Sequence, residues 1–402
     1  MNQRTTWVVS DVFYPESFSS TGYFMTSIAE YLAKYSNISV ITASQNVKYK
    51  LKEKEVYKKM NIYRVNNNNL NKNNLIQRLL KLITLTIKLS FKLLFKIKNG
   101  DQIFCVTNPA FIILMIPLIK KIKKNIKISI LVYDVFPENL SATDIWNKNS
   151  FLYKITSYFF NYSYSQFDNI ITIGRDMKEV FKQKISKKNH HRIKFITNWA
   201  ETNKVQPLNK NKNNIIKKLK LQNKIVIQFA GNIGRAQGLE ELVSVFSKCE
   251  NKIFHFLFIG DGAILNKLKQ YINKNQIKNI TFLGSLPRSE QNNFLNACDI
   301  GLVTLRQNMY GLGVPSKSYN ILSAGKPILC ISNPNSEIAM MIKSNNVGWV
   351  LDNNELNKIP KLFQKIYREK NKFDSISNNC RKLAMMNYSK KVILEKYKNL
   401  LI

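Results

Sequence analysis

The chain has 402 residues, a hydrophobic share of 45% and a formal charge of +37. At about 150 residues per domain, that length holds two or three domains, and the composition excludes a disordered or collagen-like chain. Lys, Asn and Ile are abundant even in plain surface helices, as an AT-rich genome would produce, so what survives of the charge as a signal is attraction to membranes, phosphates and polyanions.

Five Cys residues (Cys105, Cys249, Cys298, Cys330, Cys380) are scattered without paired spacing and read as reduced thiols, neither bridges nor metal ligands. The first ten residues lack the long apolar run of a signal peptide, so the expectation is a cytoplasmic protein.

In chain order, Trp7 to Ser10 reads as a strand, Asp11 to Gly22 as a loop, residues 23–35 as a helix and Ile38 to Thr42 as the next strand. This βαβ opening places a Gly-containing loop above a strand's carboxyl end, where α/β sheets bind ligands. Lys48 to Asn74 is charged and Asn-rich, a solvated excursion with a short strand at Asn61–Val65 and a low-complexity run at Asn66 to Asn69. Leu75 to Lys98 is helical, with Arg78, Lys81, Lys88, Lys92 and Lys96 inside roughly 80° of the wheel and apolar residues over most of the rest. Too many charges interrupt it for a spanning helix. Two readings stay open: an interfacial helix on an anionic membrane surface, or a core-packed helix with one wet face.

The βα rhythm resumes with strands Gln102–Thr107, Lys127–Tyr133, Asn169–Ile173 and Ile193–Thr197, of the near-continuous apolar character of covered parallel strands. Asn198-Trp199 opens a polar connection to about Asn214, the best domain boundary. Beyond it, strands Ile225–Ala230, Phe254–Ile259, Ile280–Leu283, Ile300–Leu305, Pro327–Ile331 and Val347–Leu351 alternate with helices. Two successive βαβ domains with a cleft between them is the reading, α/β in class.

Four loops of the second half follow strand ends and so share one rim. Gly231-Asn-Ile-Gly-Arg-Ala-Gln-Gly238 lets a backbone approach a ligand, and Arg235 can make forked bonds to phosphate. In Gly260-Asp-Gly262, Asp261 either caps a helix or binds a sugar hydroxyl. Leu283-Gly-Ser-Leu-Pro287 can offer main-chain groups to a planar base. Finally, Pro315 suits a first helical turn, and Ser316 and Lys317 follow it, bringing N–H groups, a hydroxyl and an ammonium to one spot fit for phosphate. Each loop is a weak signal alone; four in order point to a nucleotide diphosphate.

Tyr14-Pro-Glu with Ser20-Thr-Gly22, Asp134-Val-Phe-Pro-Glu138, Asn198-Trp199, the four loops above and Ala324-Gly-Lys-Pro327 resemble a sugar transferase of glycosyltransferase family 4, over essentially the whole chain. The likeness is to the fucosamine-transferase-like branch of bacterial surface-polysaccharide assembly. It implies the GT-B fold: two Rossmann-like domains facing across a cleft (residues 1–198 for the acceptor, 199–380 for the donor), with 381–402 returning as a C-terminal helix to the first. It also implies sugar transfer with retention of configuration, a nucleotide-sugar donor, a polyprenyl-diphosphate-linked glycan acceptor, and no metal or other cofactor. By position, Asn232, Arg235, Gln237, Asp261, Gly262, Ser285, Leu286, Pro315, Ser316, Lys317 and Asn320 would hold the donor. Thr21 and Gly22 would border its phosphates or the acceptor, and Asp134 would orient the reacting sugar or acceptor hydroxyl, unless it is only a strand-end helix cap.

The chain departs from the wider family at several points. Leu312 and Asn320 stand where that family has two Glu, Asn232 and Gln237 where it has Arg and Lys, and Asp134 where many members have His. Arg235 and Lys317 would then carry the positive charge, while His190, His191 and His255 offer no base. Two rivals remain: a nucleotide-sugar epimerase of the same shape, which wants a carboxylate-rich cleft, and a basic RNA-binding protein, which wants clustered Arg with exposed aromatics. Neither pattern is present, and no nucleic-acid partner is expected.

Overall fold

A computed structural model describes residues 4–15, 19–44, 51–67, 75–249 and 252–402, without the side chains of Leu75, Ile76 and Arg78. Glu16 and part of the Asn run, both singled out above, lie outside those residues. The chain divides into two compact units, Met1–Ile196 with Leu394–Ile402, and Thr197–Ile393.

Unit 1 is built on eight strands: β1 (Thr5–Val9), β2 (Asn37–Ser44), β3 (Lys54–Tyr57), β4 (Met60–Asn66), β5 (Gln102–Val106), β6 (Lys127–Val132), β7 (Asn169–Thr172) and β8 (Ile193–Phe195). Their order is β3-β4-β2-β1-β5-β6-β7-β8, parallel except for the antiparallel β3–β4 pair. All five residues of β5 are buried, which is why it reads as an unbroken apolar run. Asp101 pins the start of the central pair, accepting from Thr5 N at 3.0 Å and Trp7 Nε1 at 2.9 Å. The helices are α1 (Ser20–Leu32), α2 (Leu75–Lys96), α3 (Ile112–Ile122), α4 (Glu138–Ala142), α5 (Phe151–Ser165) and α6 (Arg175–Lys184). Because α2, α3 and α5 each lead rightward across the sheet, right-handed crossovers put all three in one layer. Within that layer α2 touches α3, and α3 touches α5.

Unit 2 carries six parallel strands, β9 (Ile225–Ala230), β10 (Phe254–Ile259), β11 (Ile280–Leu283), β12 (Ile300–Thr304), β13 (Ile328–Ile331) and β14 (Gly348–Leu351), in the order β11-β10-β9-β12-β13-β14. Its helices are α7 (Asn214–Lys218), α8 (Leu239–Phe246), α9 (Leu265–Lys274), α10 (Gln291–Leu295), α11 (Lys317–Ser323), α12 (Glu337–Asn345), α13 (Ile359–Arg368), α14 (Phe373–Asn387) and α15 (Lys390–Leu401), whose last residues count with unit 1. One sheet face packs Phe246 on Phe256, rings stacked at 4.1 Å, against Phe363; the other buries Tyr319, Ile321 and Leu322 of α11.

The connection after Asn198 is not the loose linker its polarity suggests. Trp199 is fully buried and donates to Glu201 at 2.8 Å, and Ala200 N donates to Tyr388 O at 2.7 Å. Helix α14 packs on α11, so the segment counted with unit 1 begins at Leu394 rather than at residue 381.

Candidate functional site

The loops after β9 and β10 are fused at the backbone. Ile233 N donates to Asp261 O at 2.8 Å and Ile264 N to Ile233 O at 3.2 Å. A side chain could not fit at Gly260 or Gly262: a Cβ there would stand 2.0 Å from Gly231 O and 2.4 Å from Ile233 O respectively. Both also hold positive φ, +143° and +159°, conformations that glycine alone takes freely. Asn232 reaches the same junction, its Oδ1 2.7 Å from where the Gly262 Cβ would be. Gln237 closes the loop; its Oε1 lies near Gly234 and is buried without a hydrogen-bond partner. Behind it, Gln237, Gly238, Thr304, Arg306 and Asn353 line a cavity of about 500 Å³.

Lys317 opens α11 and runs along Gly231 to lay its Nζ 3.1 Å from the centre of the Phe229 ring. Desolvation pushes its pKa well below the usual amine value, and among the described residues no carboxylate pairs with it. The ring face offsets part of the cost of burying the charge; an incoming anion would offset the rest. Ser316 sits at the cap position in helical conformation, its hydroxyl making no capping bond. Pro315 O is occupied, accepting from Ser318 N and Oγ. Arg235 lies exposed on a short 3-10 turn, Arg235–Gln237, with no carboxylate partner among the described residues.

Other expected donor residues are differently placed. Asp261 caps no helix, since α9 starts at Leu265; its Oδ1 instead accepts from Gly262 N at 2.7 Å. Asn320 accepts from Glu201 N through its side-chain oxygen at 2.8 Å, which leaves its amide nitrogen and the oxygen's second lone pair for a ribose. The residue thus also anchors the chain after Trp199. Ser285 is exposed and Leu286 partly buried at the end of β11.

In unit 1, Thr21 and Gly22 belong to the first turn of α1, not to a loop, because Ser19 Oγ accepts from Gly22 N at 3.5 Å and starts the helix earlier. Asp134 follows β6. Its Oδ1 accepts from Asn139 Nδ2 at 2.8 Å, and burial raises its pKa. It does not cap α4, whose cap position is Pro137. Sequence reasoning missed Asp11, at the end of β1, which burial pushes up to about 6 while its Oδ1 finds no partner. The signal was available: Asp11-Val-Phe-Tyr-Pro-Glu16 and Asp134-Val-Phe-Pro-Glu138 are near-copies of one pattern.

None of the three His residues is placed as a base. His190 and His191 bond backbone carbonyls, and His255, its pKa lowered to about 4 by burial, faces Thr281 Oγ1 at 2.9 Å. Among the described residues no cluster of three or more His, Cys, Asp or Glu side chains could hold a metal ion. All five Cys are free thiols.

Helix α2 is packed on the core along one side. Leu85, Leu89 and Leu93 are buried, as a core-packed helix requires. Three of its cations turn to the β3–β4 hairpin: Lys88 donates to Asn66 O at 3.1 Å, Lys92 pairs with Glu53 at 3.3 Å and Lys96 lies 5.2 Å over the Tyr63 ring. Ile87, Phe91 and Phe95 remain exposed. Among the described residues no helix is long and apolar enough to cross a membrane.

Residues 211–383 match the family described as "Glycosyl transferases group 1". The chain is 35% identical over 327 residues to the "Probable glycosyltransferase WbjE" of Pseudomonas aeruginosa, covering 81% of this chain and 80% of that one. It is 24% identical over 180 residues, 44% of each chain, to the "Putative colanic acid biosynthesis glycosyl transferase WcaI" of Escherichia coli K12. In fold it is similar to Anabaena Alr3699/HepE solved in complex with UDP, with a TM-score of 0.73 at 13% identity over 99% of both chains.

Proposed function

The chain belongs to the group 1 glycosyltransferases, with the GT-B fold, and from that premise we propose that unit 2 binds a nucleoside-diphosphate sugar whose sugar moves to a polyprenyl-diphosphate-linked glycan. The observation that carries the donor site is Lys317, an ammonium desolvated on Phe229 beside a glycine-lined backbone loop and lacking a carboxylate partner among the described residues. The UDP complex of HepE and the polysaccharide pathway in the name of WcaI support this class of donor and product. The product would be an amino-sugar or hexose linkage of a bacterial surface polysaccharide.

In the reaction the bond from the anomeric carbon to the diphosphate breaks, an acceptor hydroxyl oxygen bonds to that carbon, and the hydroxyl proton passes to the departing diphosphate, with configuration retained. Charge builds on the departing diphosphate, and groups fixed in advance stabilise it most. Lys317, Arg235 and the unused Ser316 hydroxyl are the groups we assign to it, in place of a metal. Asn232 and Gln237 add neutral polar contacts where a cationic pair would stand in the wider family, leaving Lys317 the larger share. On unit 1, Asp134 would orient the acceptor hydroxyl, and Thr21 and Gly22 would border a phosphate at the start of α1. Helix α2, through its exposed Ile87, Phe91 and Phe95, would hold that unit near anionic lipid.

A thermal-shift series with nucleoside diphosphates and nucleotide sugars tests the donor site. A ligand at about a hundredfold excess over its Kd stabilises the fold by roughly 2.7 kcal/mol, a rise of several degrees. Lys317→Ala is expected to abolish the rise, whereas Lys358→Ala, at an exposed ion pair with Glu355, keeps it. A full shift in the Lys317 variant defeats the assignment.

A further inference from the structure

We propose that the outer side of the α2–α3–α5 layer is a bilayer-docking face on anionic lipid, with α5 as the element that enters it. A surface helix ordinarily turns polar residues outward. Helix α5 does the reverse: Phe151, Leu152, Ile155, Tyr158, Phe159 and Tyr162 are all exposed, Phe151 at 78% and Tyr158 at 68%. These six fall within about 120° of the helical wheel, and no charged or small polar residue interrupts that sector. The buried side, Phe160, Ser163 and Tyr164, is separate and already satisfied by the core.

The patch continues onto its neighbours. Helix α3, in contact with α5, exposes Leu118 and Ile122, and α2, in contact with α3, exposes Ile87, Phe91 and Phe95, the last at 80%. Apolar exposure on this scale over three touching helices marks an interaction surface. Its charge selects the partner. The three helices contain no Asp or Glu, and exposed Lys121, Lys148 and Lys154 stand in or beside the patch. Lys121 lies 5.8 Å over the Tyr162 ring, joining α3 to α5.

Phenyl and aliphatic groups at the crest, with tyrosines and lysines among and around them, match the layering of a lipid interface, where aromatic rings with polar tips sit at headgroup depth and cations meet anionic headgroups. No described helix can span a bilayer, so the face lies on the membrane instead of crossing it. The inference rests on the lipid-linked acceptor reading only for why a membrane is needed; the surface itself is drawn from exposure and charge.

Flotation of the full chain with phosphatidylglycerol vesicles and with phosphatidylcholine vesicles tests it. The chain is expected to float with the first and much less with the second. Phe151→Ser combined with Phe159→Ser should weaken partition by at least about tenfold, because both side chains leave the apolar layer. The same variant should keep the nucleotide-induced thermal shift, which separates failure of this face from failure of the donor site. Absence of flotation, or equal flotation of the variant, overturns the proposal. So does light scattering that finds a dimer dispersed by the two substitutions, since the face would then meet a second copy of the chain.

Discussion

Asp11 and Asp134 each end a strand of unit 1, and burial raises the pKa of both. For Asp11 the folded value of about 6 exceeds the ordinary carboxylate value of 3.8, so the folded state binds more protons than the unfolded one between those limits. Stability therefore falls as pH rises through that window, and above it the buried charge carries its full cost. Asp11→Asn is expected to melt higher than the parent at pH 7.5, by up to about 3 kcal/mol of stability, with the gain fading below about pH 4. Unchanged melting at neutral pH would mean the carboxylate is solvated. That Lys317 opens a helix was legible in the sequence because Pro315, just before it, suits a first helical turn. Asn320 was legible only in part: nothing local to it announces that Glu201 N, over a hundred residues earlier, takes its oxygen at 2.8 Å.

At the scale of elements, the glycine junction between the loops after β9 and β10 is rigid by exclusion, since neither backbone can retreat from the other. Gly262→Ala is expected to cost roughly 1–3 kcal/mol from the strained φ alone, and to weaken nucleotide binding together with stability because Ile233 and Asn232 must move. Denaturant unfolding beside a binding titration checks this; loss of stability with intact affinity would separate the junction from the site. The strands of both sheets were readable within a residue or two because burial on both faces gives continuous apolar runs. Strand β3 was not: Lys54-Glu-Val-Tyr57 is a half-exposed edge strand whose charges suit an edge and mask the pattern. Helix α5 shows a different limit, for its aromatic residues fall on two sides, and sequence alone does not say which side faces the core.

For the molecule as a whole, the two proposals would give the formal charge of +37 separate outlets, an anionic nucleotide in unit 2 and anionic lipid on unit 1. Hydrogen exchange on the intact chain should resolve them. A nucleoside diphosphate is expected to slow exchange at Gly231–Gly238 and the start of α11 while leaving α5 unchanged, and vesicles should do the reverse. Protection at both places by either ligand alone would reject the division. The last nine described residues of the chain have a further consequence. Gln102 Nε2 donates to Leu401 O at 3.1 Å, Tyr31 OH donates to Glu395 Oε2 at 2.6 Å, and Tyr397 is buried against Phe104. The half of the protein made first is thus the half finished last. On the ribosome Gln102 and Phe104 of β5 lack these contacts until Leu401 has been synthesised and has come back across nearly three hundred residues.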